Sequence, residues 1–307
     1  LRYKAMNGYD CRYQNGFDAQ GLWVEVEVEK ELGFKTKKEI EEYGMDKFTR
    51  KCVERVERFS GIITQQSKRL GQWMDWDNSY FTHTDENIGG IWHFLKTCDD
   101  SGWIQREYKP MPWCPRCGTS LSEHEMTGSY KIMTHKSVFF KLPIIQDGRK
   151  ILVWTTTPWT LSSNVALAVN PEIDYVEVKV KSDDAVLVLA KNAIKYLGDD
   201  KLEVLRVFKG EELVGLSYET CFPEFEAQKD IDHKIVAWED VDATEGVGVV
   251  HIAPGCGLED FELGVKLGLA QVMPVDDMGV FLSGFGFMTG KDSHEIADEV
   301  FSELEKT

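Results

Sequence analysis

Trp154-Thr155-Thr156-Thr157-Pro158-Trp159-Thr160-Leu161-Ser162-Ser163-Asn164 is the stretch on which the reading of this chain turns. Four threonines and two serines fall within nine residues, directly after the apolar run Ile151-Leu152-Val153. Pro158 stops a strand ladder and biases Thr157 toward extended geometry. The expected product is a rigid polar loop with hydroxyls and backbone N–H groups pointing outward, able to hold a ribose or place a water. An ordinary β-edge turn is the plainer alternative, since threonine is common in strands.

Short strands surround this loop. Val138–Leu142, Ile151–Trp154, Tyr175–Val180, Ala185–Leu189, Leu202–Phe208, Ile235–Trp238 and Val247–Ile252 are apolar or alternate with period two, with a short helix at Asn192–Leu197. That density predicts a closed or nearly closed β barrel with small helices. Upstream the period changes. Residues 31–60 read as helix, with Phe48, Val53, Val56 and Phe59 at helical spacing. A second helix is expected over Glu86–Thr97, capped by Asp85 and burying Ile88, Ile91, Trp92 and Leu95. The aromatic turn Leu70–Asp77, with Trp73 and Trp76, reads as core packing. The change of pattern puts a boundary near residue 136, and no internal repeat is visible.

At about 150 residues per domain, 307 residues suggest two domains. Residues are 42% hydrophobic and 28% charged, as in globular proteins, and no run reaches the roughly 20 apolar residues of a membrane span. The net charge of -17 argues against a general nucleic-acid binder. It is uneven: residues 1–135 carry 19 Lys and Arg against 21 Asp and Glu, and the remainder 16 against 31. Any nucleic-acid contact in the second half must therefore be local and shaped. Seven cysteines are too few for a disulfide scaffold and fit a reducing, cytoplasmic setting. The chain starts at Leu1 rather than Met, which suggests a piece of a longer protein.

Two further stretches carry chemistry. In Gly246–Asp260 a strand ends at His251, a Gly/Pro loop follows and a helix is expected from Leu258. Asp260 then sits in the first turn, where the helix dipole favours its ionised form, suited to gripping an ammonium group. A plain helix-start aspartate is the equal alternative. Cys256 lies in the same loop, but no base beside it makes it a nucleophile. In Cys114-Pro115-Arg116-Cys117-Gly118 the C-x-x-C spacing is that of a zinc knuckle, yet a structural zinc takes four ligands and only two stand here. A half-site completed elsewhere and a pair of inert cysteines both remain open, with His124 a possible third ligand.

Together these stretches resemble the isoleucyl branch of the class I aminoacyl-tRNA synthetases. Trp154–Asn164, followed by Ala166 and Ala168-Val169-Asn170-Pro171, resembles the threonine-rich peptide of that family's editing domain. Val250-His251-Ile252-Ala253-Pro254 with Glu259-Asp260 resembles its second motif, and Trp113–Thr119 with Leu121–Glu125 the segment entering the editing insertion. Gly16-Phe17-Asp18-Ala19-Gln20-Gly21-Leu22 is similar to the Gly-Trp-Asp-x-His-Gly-Leu stretch of the Rossmann-type catalytic domain, with Phe17, Gln20 and Trp23 departing from the pattern. The valyl and leucyl relatives usually carry Arg after the first two threonines, whereas Thr157 stands here.

The resemblance implies an α/β chain: a partial Rossmann-type catalytic domain over 1–135 and an editing domain over 136–307. The His-x-Gly-His and Lys-Met-Ser-Lys-Ser signatures are expected outside it, so ATP and Mg2+ belong to the full-length enzyme and its isoleucine–tRNA ligase activity. Zn2+ is a further candidate at Cys114 and Cys117. The editing domain is expected to hydrolyse valyl-tRNA(Ile) without a cofactor. Asp260 would hold the substrate's ammonium. Thr155, Thr156, Thr157, Thr160 and Asn164, next to Trp154, would hold the terminal ribose and a water, and His251 would form the wall that rejects the larger side chain. Asp18 would contact isoleucine during activation. Implied partners are the tRNA(Ile) 3′ end, isoleucine, mischarged valine and the rest of the synthetase chain, with no membrane. A free-standing trans-acting deacylase and a non-catalytic zinc-stabilised binding module are the alternatives.

Overall fold

The structure, a computed structural model, describes residues 1–180, 185–198, 202–242, 244 and 246–306. The chain divides into two compact units, residues 1–107 with 116–118, and residues 108–115 with 119–307. No helix among the described residues is long and apolar enough to cross a membrane.

The first unit alternates helices and strands: α1 (Arg2–Met6), β1 (Gln14–Phe17), α2 (Leu22–Leu32), α3 (Lys37–Tyr43), α4 (Met45–Arg69), β2 (Asp75–Phe81) and α5 (Asp85–Asp100). β1 and β2 pair in parallel, joined through the helices, which is a β–α–β crossover. The helical stretch expected over 31–60 is broken twice, because glycine takes backbone angles other residues avoid. Gly33, at φ 78°, closes α2, and Gly44, at φ 107°, separates α3 from α4. Between them Thr36 and Glu39 form a reciprocal capping box that starts α3. Val28, Ile40 and Phe48 pack where α2, α3 and α4 meet. Glu29, 1% exposed, accepts from Lys37 Nζ at 2.8 Å and from an Arg116 guanidinium nitrogen at 3.1 Å, which ties residues 116–118 to this unit.

Two expectations for this unit fail. The cap of α5 is Thr84, whose hydroxyl accepts the Asn87 N–H at 3.4 Å, while Asp85 is already helical. Ile88, Ile91, Trp92 and Leu95 are exposed, because this unit offers two strands and no layer to cover that face of α5. Likewise Leu70 and Trp73 lie at the surface, 83% and 84% exposed, rather than in a core.

The second unit begins with the short hairpin β3 (Trp113–Cys114) and β4 (Thr119–Ser120), then α6 (Glu123–Met126). Among the described residues eight strands follow: β5 (Val138–Pro143), β6 (Lys150–Thr155), β7 (Ala166–Val169), β8 (Asp174–Val180), β9 (Val186–Ala190), β10 (Leu202–Lys209), β11 (Lys234–Ala237) and β12 (Val249–Ile252). α7 (Leu258–Leu267) and α8 (Ala297–Leu304) complete the list of longer elements. Among the described residues the ladders group into a five-stranded sheet of order β10-β8-β9-β6-β5 and a three-stranded sheet of order β11-β7-β12. Both sheets enclose one core, in which Ile144, Ile151, Leu167, Tyr175, Leu189 and Met288 are sealed from solvent. The α/β class stands, and every strand read from the sequence is present to within two residues at either end.

Among the strands of the two larger sheets, one was hidden. β7 lies within the run that reads as a continuation of the threonine loop, and all four of its residues are buried. It pairs in parallel with β11 and antiparallel with β12, placing His251 opposite Leu167. A central strand covered on both faces shows no alternation, so its sequence gives no period to read.

Candidate active site

The threonine loop turns inward. After Pro158 the chain winds as a 3-10 turn through Ser163. That winding folds hydroxyls back onto carbonyls: Thr160 Oγ1 donates to Thr157 O at 2.7 Å and Ser162 Oγ to Trp159 O at 2.9 Å. Thr160, Ser162, Ser163 and Asn164 are buried as a result, Thr155 is buried at the end of β6, and of the loop's hydroxyl residues Thr156 and Thr157 stay exposed. The outward-facing loop expected from the sequence is thus corrected; the two-turn 3-10 helix from Pro158 to Ser163 reverses most of its hydroxyls.

The loop and the second motif meet around His251. Its Nε2 lies 3.3 Å from Thr155 Oγ1 and 3.1 Å from Thr160 Oγ1. Thr157 Oγ1 lies 3.2 Å from Thr160 Oγ1 and 3.4 Å from Thr155 Oγ1, closing a hydroxyl cluster. Burial drives the His251 pKa down to about 4, so the ring is neutral at pH 7.

A cavity of about 420 Å³ opens beside this cluster, lined among others by Trp154, Thr155, Thr156, His251, Glu259 and Asp260. Asp260 sits in the first turn of α7 as expected. Its Oδ2 accepts the Ala253 N–H at 2.8 Å, which fixes the side chain against the strand end that carries His251. Burial raises its pKa, the Ala253 N–H opposes the rise and the Glu259 charge adds to it. Desolvation therefore outweighs the backbone hydrogen bond, leaving a carboxylate that gains from meeting a cation. In the same loop, burial pushes the Cys256 thiol up to about 12, which removes it as a nucleophile at neutral pH.

The other sequence candidates are placed differently. Thr156 and Thr157 line a second cavity of about 510 Å³ with His135, Trp159 and His294, so Thr156 borders both. Asn164 does not line either cavity. Its Nδ2 donates to Ala166 O at 2.8 Å, and its Oδ1 accepts from the Tyr218 hydroxyl at 2.5 Å. Tyr218→Phe would leave that buried oxygen unpaired and is expected to lower stability by about 1–3 kcal/mol in urea unfolding. Asp18 belongs to the first unit, where it accepts from Thr82 Oγ1 at 3.3 Å.

Cys114 ends β3, and the Cys117 sulfur takes a long hydrogen bond of 3.7 Å from Arg116. Among the described residues no group of three or more His, Cys, Asp or Glu side chains is arranged to hold a metal ion. Two thiolates do not meet the four-ligand requirement of a structural zinc, and His124 is exposed on α6.

Sequence reading missed part of the lining. Trp238, Asp240, Asp242 and Gly248 border the first cavity. Trp238 Nε1 donates to Asp240 Oδ2 at 3.0 Å, and Asp242 takes the N–H and hydroxyl of Thr244. Gly248 has φ +70°, and a Cβ there would sit 2.4 Å from Ala190 Cβ, so no larger residue fits. The only sequence signal was the glycine pair before β12. With Glu259 and Asp260 the lining holds four carboxylates, which favours a cationic group over a phosphate.

The chain is similar to known proteins. The isoleucine–tRNA ligase of Pyrococcus horikoshii is 44% identical over 298 residues, covering 92% of this chain and 28% of that protein. That of Clostridium tetani is 39% identical over 282 residues, covering 92% and 27%. This chain thus spans under a third of the length of these relatives. Among solved structures, the P. knowlesi cytosolic leucyl-tRNA synthetase editing domain aligns with 57% of this chain and 95% of its own, at 12% identity and a TM-score of 0.41. The family described as tRNA synthetases class I (I, L, M and V) matches residues 1–239, and the chain belongs to it.

Proposed function

We propose that the cavity between the threonine loop and α7 hydrolyses the ester of a mischarged tRNA, valyl-tRNA(Ile), as the proofreading site of an isoleucine–tRNA ligase. Residues 1–135 would then be part of the Rossmann-type catalytic domain and 136–307 the editing domain. The observation that carries the reading is that Asp260, Thr155, Thr156 and His251, about a hundred residues apart in sequence, line one cavity.

The chemistry follows from the substrate. Isoleucine and valine differ by one methylene, worth about 1–3 kcal/mol in a hydrophobic pocket, a range established on this very pair rather than derived from this chain. A second site that admits only the smaller ester makes up the difference. The ester is already activated, so a placed water suffices. Asp260 holds the α-ammonium, and its neighbours Asp240 and Glu259 make the cavity attractive to that charge. Thr155 and Thr156 present hydroxyls toward the ribose and the water. His251, neutral and buried, forms part of the wall. Thr157, on the neighbouring cavity, and Thr160 and Asn164, behind the surface, support the loop rather than touch the ester.

In the whole synthetase, ATP and Mg2+ serve isoleucine activation, in which Asp18 contacts the amino acid's ammonium. Zinc at Cys114 and Cys117 would need ligands from another part of a longer chain. The setting is the cytoplasm, and the partners are the tRNA(Ile) 3′ end and the remainder of the synthetase.

Preformed valyl-tRNA(Ile) and isoleucyl-tRNA(Ile), incubated separately with the chain, test the reading. The valyl ester is expected to be cleaved at least about tenfold faster. Equal cleavage of both at the uncatalysed rate would overturn it.

A further inference from the structure

The hydroxyl cluster contains a proton count that fixes the state of His251. The Thr160 hydroxyl has one proton, and its best acceptor is Thr157 O at 2.7 Å. Thr160 Oγ1 therefore faces His251 Nε2, at 3.1 Å, with a lone pair. Two lone pairs at that distance repel, so the ring nitrogen must supply the proton. The other ring nitrogen agrees. Nδ1 is buried without a hydrogen-bond partner, and an orphaned N–H is the rarer of the two possible defects.

We propose that His251 is held as the neutral Nε2–H tautomer and acts as a positioning residue: by donating to Thr160, and sharing that donor with Thr155, it leaves the Thr155 hydroxyl proton free to point into the cavity. Thr155 Oγ1 already accepts the Thr157 backbone N–H at 3.1 Å. With a second donor on its other side its lone pairs are occupied, and its proton has two destinations: Thr157 Oγ1, at 3.4 Å beyond ordinary O–H···O reach, and the cavity, where an ester oxygen is the better acceptor. Nε2 carries a proton throughout, so it does not take one from the attacking water. Burial keeps the ring uncharged at neutral pH, as this arrangement requires.

The catalytic half of this inference rests on the proofreading reading, whereas the tautomer rests on the hydrogen-bond geometry alone. Two measurements separate them. Nitrogen NMR of the imidazole in the unliganded chain is expected to show a protonated Nε2 and a bare Nδ1 between about pH 5 and 8. A protonated Nδ1, or an imidazolium at pH 7, overturns the tautomer whatever the activity. For the second half, His251→Gln places an amide N–H at the Nε2 position, while His251→Asn reaches only the Nδ1 position. Both variants alter the wall, but glutamine is expected to keep a kcat about tenfold above that of asparagine, the equivalent of one buried hydrogen bond. Equal loss in both variants, with the Nε2–H tautomer observed, overturns the positioning role. Wild-type chain with no deacylation but the expected NMR pattern removes the proofreading reading and leaves the tautomer standing.

Discussion

Asp260→Asn is expected to slow deacylation of valyl-tRNA(Ile) by about a hundredfold or more, because it removes one partner of a desolvated charge pair while keeping the side chain's shape. The asparagine oxygen still accepts the Ala253 N–H, so the loop before α7 stays in place. What disappears is the charge that meets the substrate's ammonium. The nearby Glu259 carboxylate also lines the cavity and keeps the loss from being total. The same residue sets the acid side of the pH profile. Burial raises the Asp260 pKa, and hydrolysis needs the ionised form, so activity falls with acid at a higher pH than an ordinary aspartate would set. A bound ammonium favours the carboxylate and draws that limb down. The acid limb of kcat/KM, which reports the free protein, is therefore expected at higher pH than that of kcat. Coincident limbs at the pH of an ordinary aspartate would remove Asp260 from the role.

The second large effect is on stability. His251 has its pKa depressed to about 4 in the folded chain, against an ordinary value of 6.5. The unfolded chain binds a proton over that interval and the folded chain does not, so protons favour unfolding. The stabilisation is complete above pH 6.5 and is lost as the pH falls toward 4. The span corresponds to about 3 kcal/mol. His233, lowered chiefly by burial, acts in the same direction. Carboxylates held by cations, such as Asp147 beside Arg149 or Asp174 beside Lys209, lose their contribution only below their ordinary range, so the histidine window precedes theirs. Urea midpoints at pH 7 and pH 4.5 measure the loss, and His251→Gln is expected to abolish most of it. A variant as acid-sensitive as the parent would show that another group governs this interval.

The motifs were legible because their chemistry lies in residue identity. Threonines grouped after a strand, and an aspartate three residues past a glycine at a helix start, can be seen in one dimension. Their direction could not. Whether Thr160 and Ser162 face water or protein depends on the 3-10 turn after Pro158, and the energy of that turn comes from hydroxyl-to-carbonyl bonds closed in three dimensions. Asn164 looked like a ligand-binding residue for the same reason. Its polar side chain is spent on Ala166 and Tyr218, and Tyr218 lies 54 residues away. The polarity of His251 depends on where a neighbour sends its one proton, which no spacing rule encodes. In the first unit the apolar face of α5 was read correctly as apolar and wrongly as buried, since a hydrophobic pattern states what a helix offers, not what covers it.

The ladder between β7 and β12 has a consequence for how this protein tolerates changes of length. β7 leaves the threonine loop after two residues and pairs directly with the strand that carries His251. One residue added inside β12 before His251 would shift that pairing by one and turn the imidazole to the opposite face, and one added between Ser163 and Ala166 would displace the threonine loop along the ladder. Extra residues in the connections between β7 and β12 leave the ladder untouched, and their closure cost grows only with the logarithm of length. Longer connections there are therefore expected to keep the geometry around His251, while insertions in the residues around Pro158 and the end of β12 are expected to disrupt it.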